Sequence, residues 1–461
     1  MSSTISDGKF TIDEIIETAK QSDTKVLILT DRDFMKWEYG LWPLRKVIKK
    51  AVEDNSVSTY TIERYLKDIE EGQRKNSDLV VIAGVESAPF YYWKGSPFKR
   101  NFGIYNWHEH MLVIGLDKVE DYKNLPSVSS PSSLMEPFTF KDIYRFWPIL
   151  ILVVGILCLR KRKFRYKDLE NRSLGAHSYG WQISGIFIII FGLLLLVNNF
   201  PFRGSKYDQY HGDKGGMPYQ DLIDYVNDKG GMTFWAHPEA ENISRRGRVN
   251  IKTGKHTGKL LETRDYSGFA IFYEGYKEIG LPGGIWDEIL RQYCKGTRKT
   301  PVWAIAGLAF DQTGDLKKQM QHIRTIFLVP QLSKSEVLGA LRKGRIYVSR
   351  GLQSSNLVLN EFSVSDTGSD NKGIVADEVN VKDKVLLRIK GTFSAQKKRK
   401  EAKVKLIRNG SIIESFELRS PFEIYYEDDY SGEERKIYYR LEIHAPEGML
   451  VTNPIFVQFN N

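Results

Sequence analysis

Residues 25–31, KVLILTD, decide the fold. Val26–Leu29 is apolar without alternation, which is the pattern of a strand covered on both faces in a parallel sheet. It ends on a carboxylate, Asp31. The same grammar returns along the chain. Leu79–Gly84 (LVVIAG) leads to Glu86, and Met111–Gly115 (MLVIG) is entered through His108 and His110. Met232–Ala236 (MTFWA) ends in His237-Pro238, Phe269–Phe272 is followed by Glu274, and Val302–Ala306 precedes Asp311. Helical spacing separates these runs. Asp13–Ser22 places Ile12, Ile15, Ile16 and Ala19 on one face, and further helices are predicted over Thr61–Asn76, Tyr219–Lys229, Trp286–Cys294 and Ser333–Lys343, the last stopped by Gly344. Strands alternating with helices predict an α/β domain with a parallel sheet or barrel, whose ligands collect at the carboxyl ends of the strands.

From about Asn356 the pattern changes to short alternating strands, among them KVLLRIKGTF, AKVKLIRNG and KIYYRLEIHA. Asn409-Gly410 and Ser431-Gly432 are hairpin signals, so this stretch predicts a β-sandwich of about 100 residues. The whole chain has 461 residues, 41% of them hydrophobic, enough for roughly three domains. Its two cysteines, Cys158 and Cys294, lie far apart, which excludes a disulfide scaffold and a cysteine-based zinc site.

The net charge of +10 has two sources. Residues 160–172 hold seven Lys/Arg against two Asp/Glu, and residues 397–405 hold six against one. A nucleic-acid protein shows a broad basic face; two short blocks do not, so nucleic acid is excluded as a partner. The first block lies between two apolar runs, Phe146–Leu159 and Ile183–Val197. With their interfacial aromatics (Tyr144, Trp147, Trp181, Phe200, Phe202) they predict a transmembrane hairpin in a lipid bilayer, the plasma (inner) membrane. The positive-inside rule puts loop 160–180 in the cytoplasm and the long flanks outside it. An outward N-terminal region needs an export signal, and MSSTISDGKFTIDEII has none of the features of one, so either the topology is inverted or the chain lacks its true N-terminus.

His and carboxylates at convergent strand ends suit Zn²⁺, Mn²⁺ or Fe²⁺, and a bridging carboxylate such as Glu86 suits phosphate-ester hydrolysis. The ordered segments SDGKFTIDEIIETAKQ, VLILTDRD, VIAGVES, HEHMLVIGL, GGMTFWAHP and AIAGLAFD resemble the PHP (polymerase and histidinol phosphatase) domain family over roughly residues 2–142 and 205–350. The resemblance extends to a membrane-anchored subgroup in which a helical hairpin interrupts the barrel and a β-domain follows. It implies a distorted (β/α) barrel in two parts, 1–142 and 203–352, split by a transmembrane hairpin at 143–202 and followed by the β-sandwich at 353–461. It also implies a multinuclear metal site and a small-molecule phosphoester substrate.

The departures from the family pattern bear on that site. The pattern opens with a His-x-His pair, and Ser2 stands where its second His falls, so the strand carrying the pair is missing; with the absent export signal this points to an incomplete start. Thr-Asp-His is here Thr30-Asp31-Arg32, and an arginine repels a metal. The last motif aligns as Gly307 to Asp311, with Ala309 in place of its Asp and Asp311 in place of its His, or, with a one-residue shift, with Asp311 as its Asp. The resemblance therefore carries over Glu86, His110 (or His108) and His237 as ligands, with Asp7 and Asp311 as extras. These hold a single divalent ion or none. Arg32, beside Asp31, is expected either to bind a substrate phosphate or to fill the emptied metal position by pairing with Glu86. Two functions follow: a membrane-anchored, metal-dependent phosphoesterase with a degraded site, or a catalytically inactive binding or scaffolding relative. Two helices without buried charge argue against a transporter.

Overall fold

The computed structural model describes residues 1–160, 163–167, 173–177, 179–307, 315–351, 357–368, 371–393, 401–446 and 448–459. It combines helices with strands in two compact units, residues 1–35, 54–130 and 209–461 in one and residues 36–53 and 131–208 in the other. Among the described residues seven helices have ten residues or more: α1 (Ile12–Gln21), α2 (Ile62–Lys75), α3 (Pro148–Cys158), α4 (Tyr179–Asn199), α5 (Met217–Asp228), α6 (Ile285–Cys294) and α7 (Lys334–Lys343).

The first unit is organised by a six-stranded, half-barrel sheet. Its strands are β1 (Val26–Arg32), β2 (Val80–Ser87), β3 (Met111–Ile114), β4 (Met232–Trp235), β5 (Gly268–Ala270) and β6 (Trp303–Ile305), paired in that order. Both faces are covered. Ile15 and Ile16 of α1, Tyr65 of α2, Leu222 of α5 and Trp286 of α6 pack with Leu27 and Leu29 of β1 on one side. Val337 and Leu341 of α7 pack with Val80, Ile82 and Phe234 on the other. That is why these strands read as unbroken apolar runs.

The sheet is not parallel throughout. β1–β2, β4–β5 and β5–β6 are parallel, but β3 runs antiparallel to both β2 and β4. The reason lies in residues 88–110. A parallel partner needs a crossover, usually a helix. Here the chain instead makes two short strands, Tyr92–Lys94 and Gly103–Tyr105, and re-enters the sheet from the edge at which β2 left it. Those strands continue into Asn242–Arg246 and Val249–Thr253 as a separate four-stranded sheet.

The C-terminal part is β-rich. One four-stranded sheet is built on Leu357–Asp366 and Val385–Phe393 and a larger one on Glu401–Arg408 and Lys436–Ala445. Leu387, Ile389, Val404, Leu406, Leu441 and Ile443 belong to one hydrophobic cluster. Ile323–Phe327 and Ile346–Gly351 join the larger sheet through Gly448–Thr452. Asn409-Gly410 makes the expected tight turn, both residues at positive φ (49° and 86°) between Glu401–Arg408 and Ser411–Arg419. Ser431-Gly432 does not make a hairpin. The strands on either side of it, Phe422–Asp428 and Lys436–Ala445, belong to different sheets, so this segment is a crossing. Of the basic block 397–405, residues 397–400 lie outside the described residues.

In the second unit, α4 contains a segment, Gly180–Asn199, long and apolar enough by length and composition to cross a membrane. The first apolar run yields less: α3 has eleven residues, about 16 Å of helix, led in by a 3-10 turn at Phe140–Phe146. α3 and α4 touch through glycines, where a Cβ at Gly155 would lie 2.7 Å from Ile189. A two-stranded ladder, Lys163–Lys167 with Ser173–His177, lies between them in sequence. The hairpin Lys36–Gly40 with Lys49–Glu53 belongs to the same unit.

Candidate metal centre

The reversed direction of β3 assembles the site. Glu86 is near the carboxyl end of β2, and His237 lies just past the carboxyl end of β4. His110 precedes β3, which would place it at the opposite edge of a parallel sheet. Because β3 is antiparallel, with Glu86 opposite Leu112 and Trp235 opposite Met111, the entry of β3 lies among those two exits. The backbone closes this edge, Ala236 N donating to His110 O at 3.1 Å.

Three donor atoms converge there. Glu86 Oε1 is 2.8 Å from His110 Nδ1 and 3.5 Å from His237 Nε2, and the two ring nitrogens are 2.9 Å apart. A tetrahedral ion about 2.1 Å from each donor needs donors roughly 3.4 Å apart; the Glu86–His237 separation matches, and the two separations from His110 Nδ1 would have to open by about half an ångström to admit one ion of the zinc size. His237 Nδ1, the ring nitrogen away from the other two donors, is buried with no hydrogen-bond partner among the described residues, so the ring lacks the outer partner that usually orients a metal-binding histidine. One further fact agrees. Burial and the Arg32 charge hold the His110 imidazole well below its usual pKa, in the neutral form that binds metals. Burial pushes the Glu86 carboxyl upward, but Arg32 and His110 outweigh it and keep Glu86 well below the usual carboxylate range.

No protein-family model matches this chain, and no curated protein matches its sequence.

The arginine is part of the centre. Arg32 Nη1 approaches Glu86 Oε1 to 3.9 Å and His110 Nε2 to 2.5 Å, while its Nε donates to Asp7 Oδ2 at 2.7 Å. These contacts assign the His110 tautomer. Arg32 Nη1 is also 3.1 Å from Nδ1; a guanidinium only donates, and the nearer ring nitrogen, Nε2, is its acceptor, which assigns the ring proton to Nδ1, facing the Glu86 carboxylate. A metal held by Nδ1 would require that proton to leave. Arg32 therefore opposes, by tautomer as well as by charge, the ion that the other three residues suit.

The remaining expected residues fall in different places. His108 lines the same cavity, of about 360 Å³, together with Asp7, Arg32, Glu86 and His237. It is outside the converging three, with its ring 5.7 Å from that of His110 and its pKa brought down to about 4 by burial and then by Arg32. Asp7 serves as the partner of Arg32. Asp31 is turned away: it accepts from Ser3 N and Ser6 Oγ, both at 2.6 Å, and is fully buried. Alternation along β1 gives the cavity Arg32 and withholds Asp31. Asp311 lies outside the described residues. Glu109, between the two histidines, points the other way, into a buried contact with Lys259 and Tyr219.

Several residues of the centre carried no signal by motif. Glu241 and Tyr273 line the cavity, as does Glu274, the polar residue that follows the run Phe269–Phe272, at a left-handed φ of 51°. His256 packs its ring 6.3 Å from that of His237 and 5.6 Å from Trp235, its Nε2 buried and without a partner among the described residues. It comes from the loop GKHTGK, where neither periodicity nor a strand end marks it.

Proposed function

We propose that this chain is a membrane-anchored, PHP-like hydrolase of phosphoesters with one divalent-metal position, held by Glu86, His110 and His237. The observation that carries the reading is the convergence of one carboxylate oxygen and two imidazole nitrogens in a cavity that also receives a guanidinium. A bound Zn²⁺, Mn²⁺ or Fe²⁺ would supply a Lewis acid and an activated water. Arg32 supplies a planar donor for a phosphate. Glu86 keeps its charge, and His110 and His108 stay neutral near pH 7. The barrel closure, the β-sandwich character of the C-terminal part, insertion of α3 as well as α4, and a cytoplasmic 160–180 loop belong to the same proposal. Its membrane is the plasma (inner) membrane.

A second reading has its own observation. The Arg32–His110 contact holds the site in the protonation state that a metal would have to displace, so Arg32 acts as the resident cation of an inactive binding module. Metal analysis of the purified full chain, together with hydrolysis of 4-nitrophenyl phosphate, separates the two. About one ion per chain, lost in Glu86→Gln, with turnover that follows metal content, supports the hydrolase. A metal-free, inactive chain after loading with Zn²⁺, Mn²⁺ and Fe²⁺ overturns it and leaves the binding module.

A further inference from the structure

We propose that the Lys36–Glu53 hairpin is a lipid-interface anchor, inserting its tip at the headgroup level of the bilayer that receives α4. This rests on the reading above that α4 lies in a membrane. The hairpin is tied to the end of that helix: Lys46 N donates to Asn198 Oδ1 at 2.8 Å, and Lys46 Nζ to Phe200 O at 2.9 Å. Its tip, between the strands Lys36–Gly40 and Lys49–Glu53, presents apolar side chains outward. Trp42 is 79% exposed and Ile48 50%, with Leu41 and Val47 exposed beside them. Phe140, Tyr144 and Phe200 are exposed at the same end of the apolar helices, where Asn199 Nδ2 donates to Arg145 O and Phe146 stacks on Phe202.

Two classes of side chain on one short loop identify the partner. Tryptophan and tyrosine with one apolar and one polar end favour the membrane–water interface. Lys46 and Lys50 are exposed beside the apolar residues of the tip, long enough to keep their charges in the headgroups while their stems follow the apolar surface, and Lys49 pairs with Glu38 at 2.7 Å. Burial, and then the nearby Arg145 and Lys49, lower the pKa of Lys46; Arg145 pairs with Asp142 and Lys49 with Glu38, which leaves Lys46 as the cation that an anionic headgroup would meet. A protein partner has no comparable argument: the exposed aromatics form a continuation of the apolar helix end.

The test uses the full chain in lipid nanodiscs, with Cys158 and Cys294 replaced by serine and one spin-labelled cysteine per variant. The labels are placed at Trp42→Cys and, with Trp42 kept, at Ile48→Cys; Ile190→Cys in α4 is the lipid reference and Ile243→Cys the aqueous one. The expected result is an oxygen-to-nickel-chelate accessibility ratio at 42 and 48 at least about threefold above that at 243 and below that at 190, the signature of interfacial depth. Aqueous labels at both 42 and 48 with a lipid-immersed label at 190 overturn the anchor and leave the membrane reading intact. An aqueous label at 190 overturns the membrane reading and the anchor with it.

Discussion

Arg32 and Glu86 are register partners across β1 and β2, and their side chains approach to 3.9 Å. The same guanidinium donates to His110 Nε2, which keeps the ring proton on Nδ1. Removing the charge while keeping the stem should free Nδ1 for a metal. Arg32→Met is therefore expected to raise the affinity for Zn²⁺ about tenfold, the scale on which partners of metal ligands act. Competition with a chelating dye measures it. An unchanged or weaker affinity means that Arg32 does not oppose the ion.

Protonation should weaken the fold on the acid side. Burial, and then His237, brings His256 down to about 3, whereas an unfolded histidine titrates near 6.5. His108, at about 4, behaves alike. Both folded pKa values are lowered, so between those values and about 6.5 the unfolded chain binds more protons and stability falls as pH drops. The melting temperature is expected to decline from pH 6.5 to pH 4, and less steeply in His256→Leu. Equal slopes in the two proteins remove His256 as a cause.

How much of this was legible follows from the physics of each segment. KVLILT and LVVIAG reveal themselves because both of their faces are covered, by α1 and α2 on one side and α7 on the other. The Thr11 capping box marks the start of α1, and Gly344 at φ 76° marks the end of α7. Strand direction is another matter. MLVIG has the same composition whichever way it runs, and the reversal of β3 depends on a missing crossover helix 20 residues earlier rather than on the strand itself. Glu86, His110 and His237 were picked out because polar residues beside apolar runs are conspicuous. Asp31 was picked by the same logic, but β1 runs one residue further and alternation exposes Arg32 in its place. His256 and Trp42 lie in loops, where only the folded chain brings them to a partner.

Arg440 is expected to be the most sensitive charge in the C-terminal part. It is fully buried, donating to Asp287 through Nε at 2.8 Å and Nη2 at 2.7 Å, with Glu442 beside it. Asp287 also receives Tyr438 Oη at 2.7 Å and Gly283 N at 2.8 Å. The network ties α6 to strand Lys436–Ala445. Arg440→Leu leaves the buried Asp287 carboxylate without its cation, a loss of about 3–5 kcal/mol, while Glu442 keeps Lys405 at 3.6 Å. Asp287→Asn keeps hydrogen-bonding atoms in place and should cost less. Thermal melts rank the two, and the reverse order would show that the anion, not the cation, organises the network.

The contact between α3 and α4 can be captured covalently. A Cβ at Gly185 would lie 3.1 Å from the Cβ of Cys158. Disulfides favour about 3.5–4.5 Å, and the new Cβ would also lie 2.8 Å from Gly155 O, so the two helices must part slightly at both contacts to accept the bond. With Cys294 replaced by serine, Gly185→Cys is expected to form an intramolecular disulfide under mild oxidation, read as loss of alkylation at both positions. Gly192→Cys is the control: a side chain there meets Leu152 and Ile151, with no sulfur within reach. If Cys158 in the Gly185→Cys protein remains as alkylatable as in the control, α3 and α4 do not pack through these glycines, and a paired insertion of the two helices loses its structural basis.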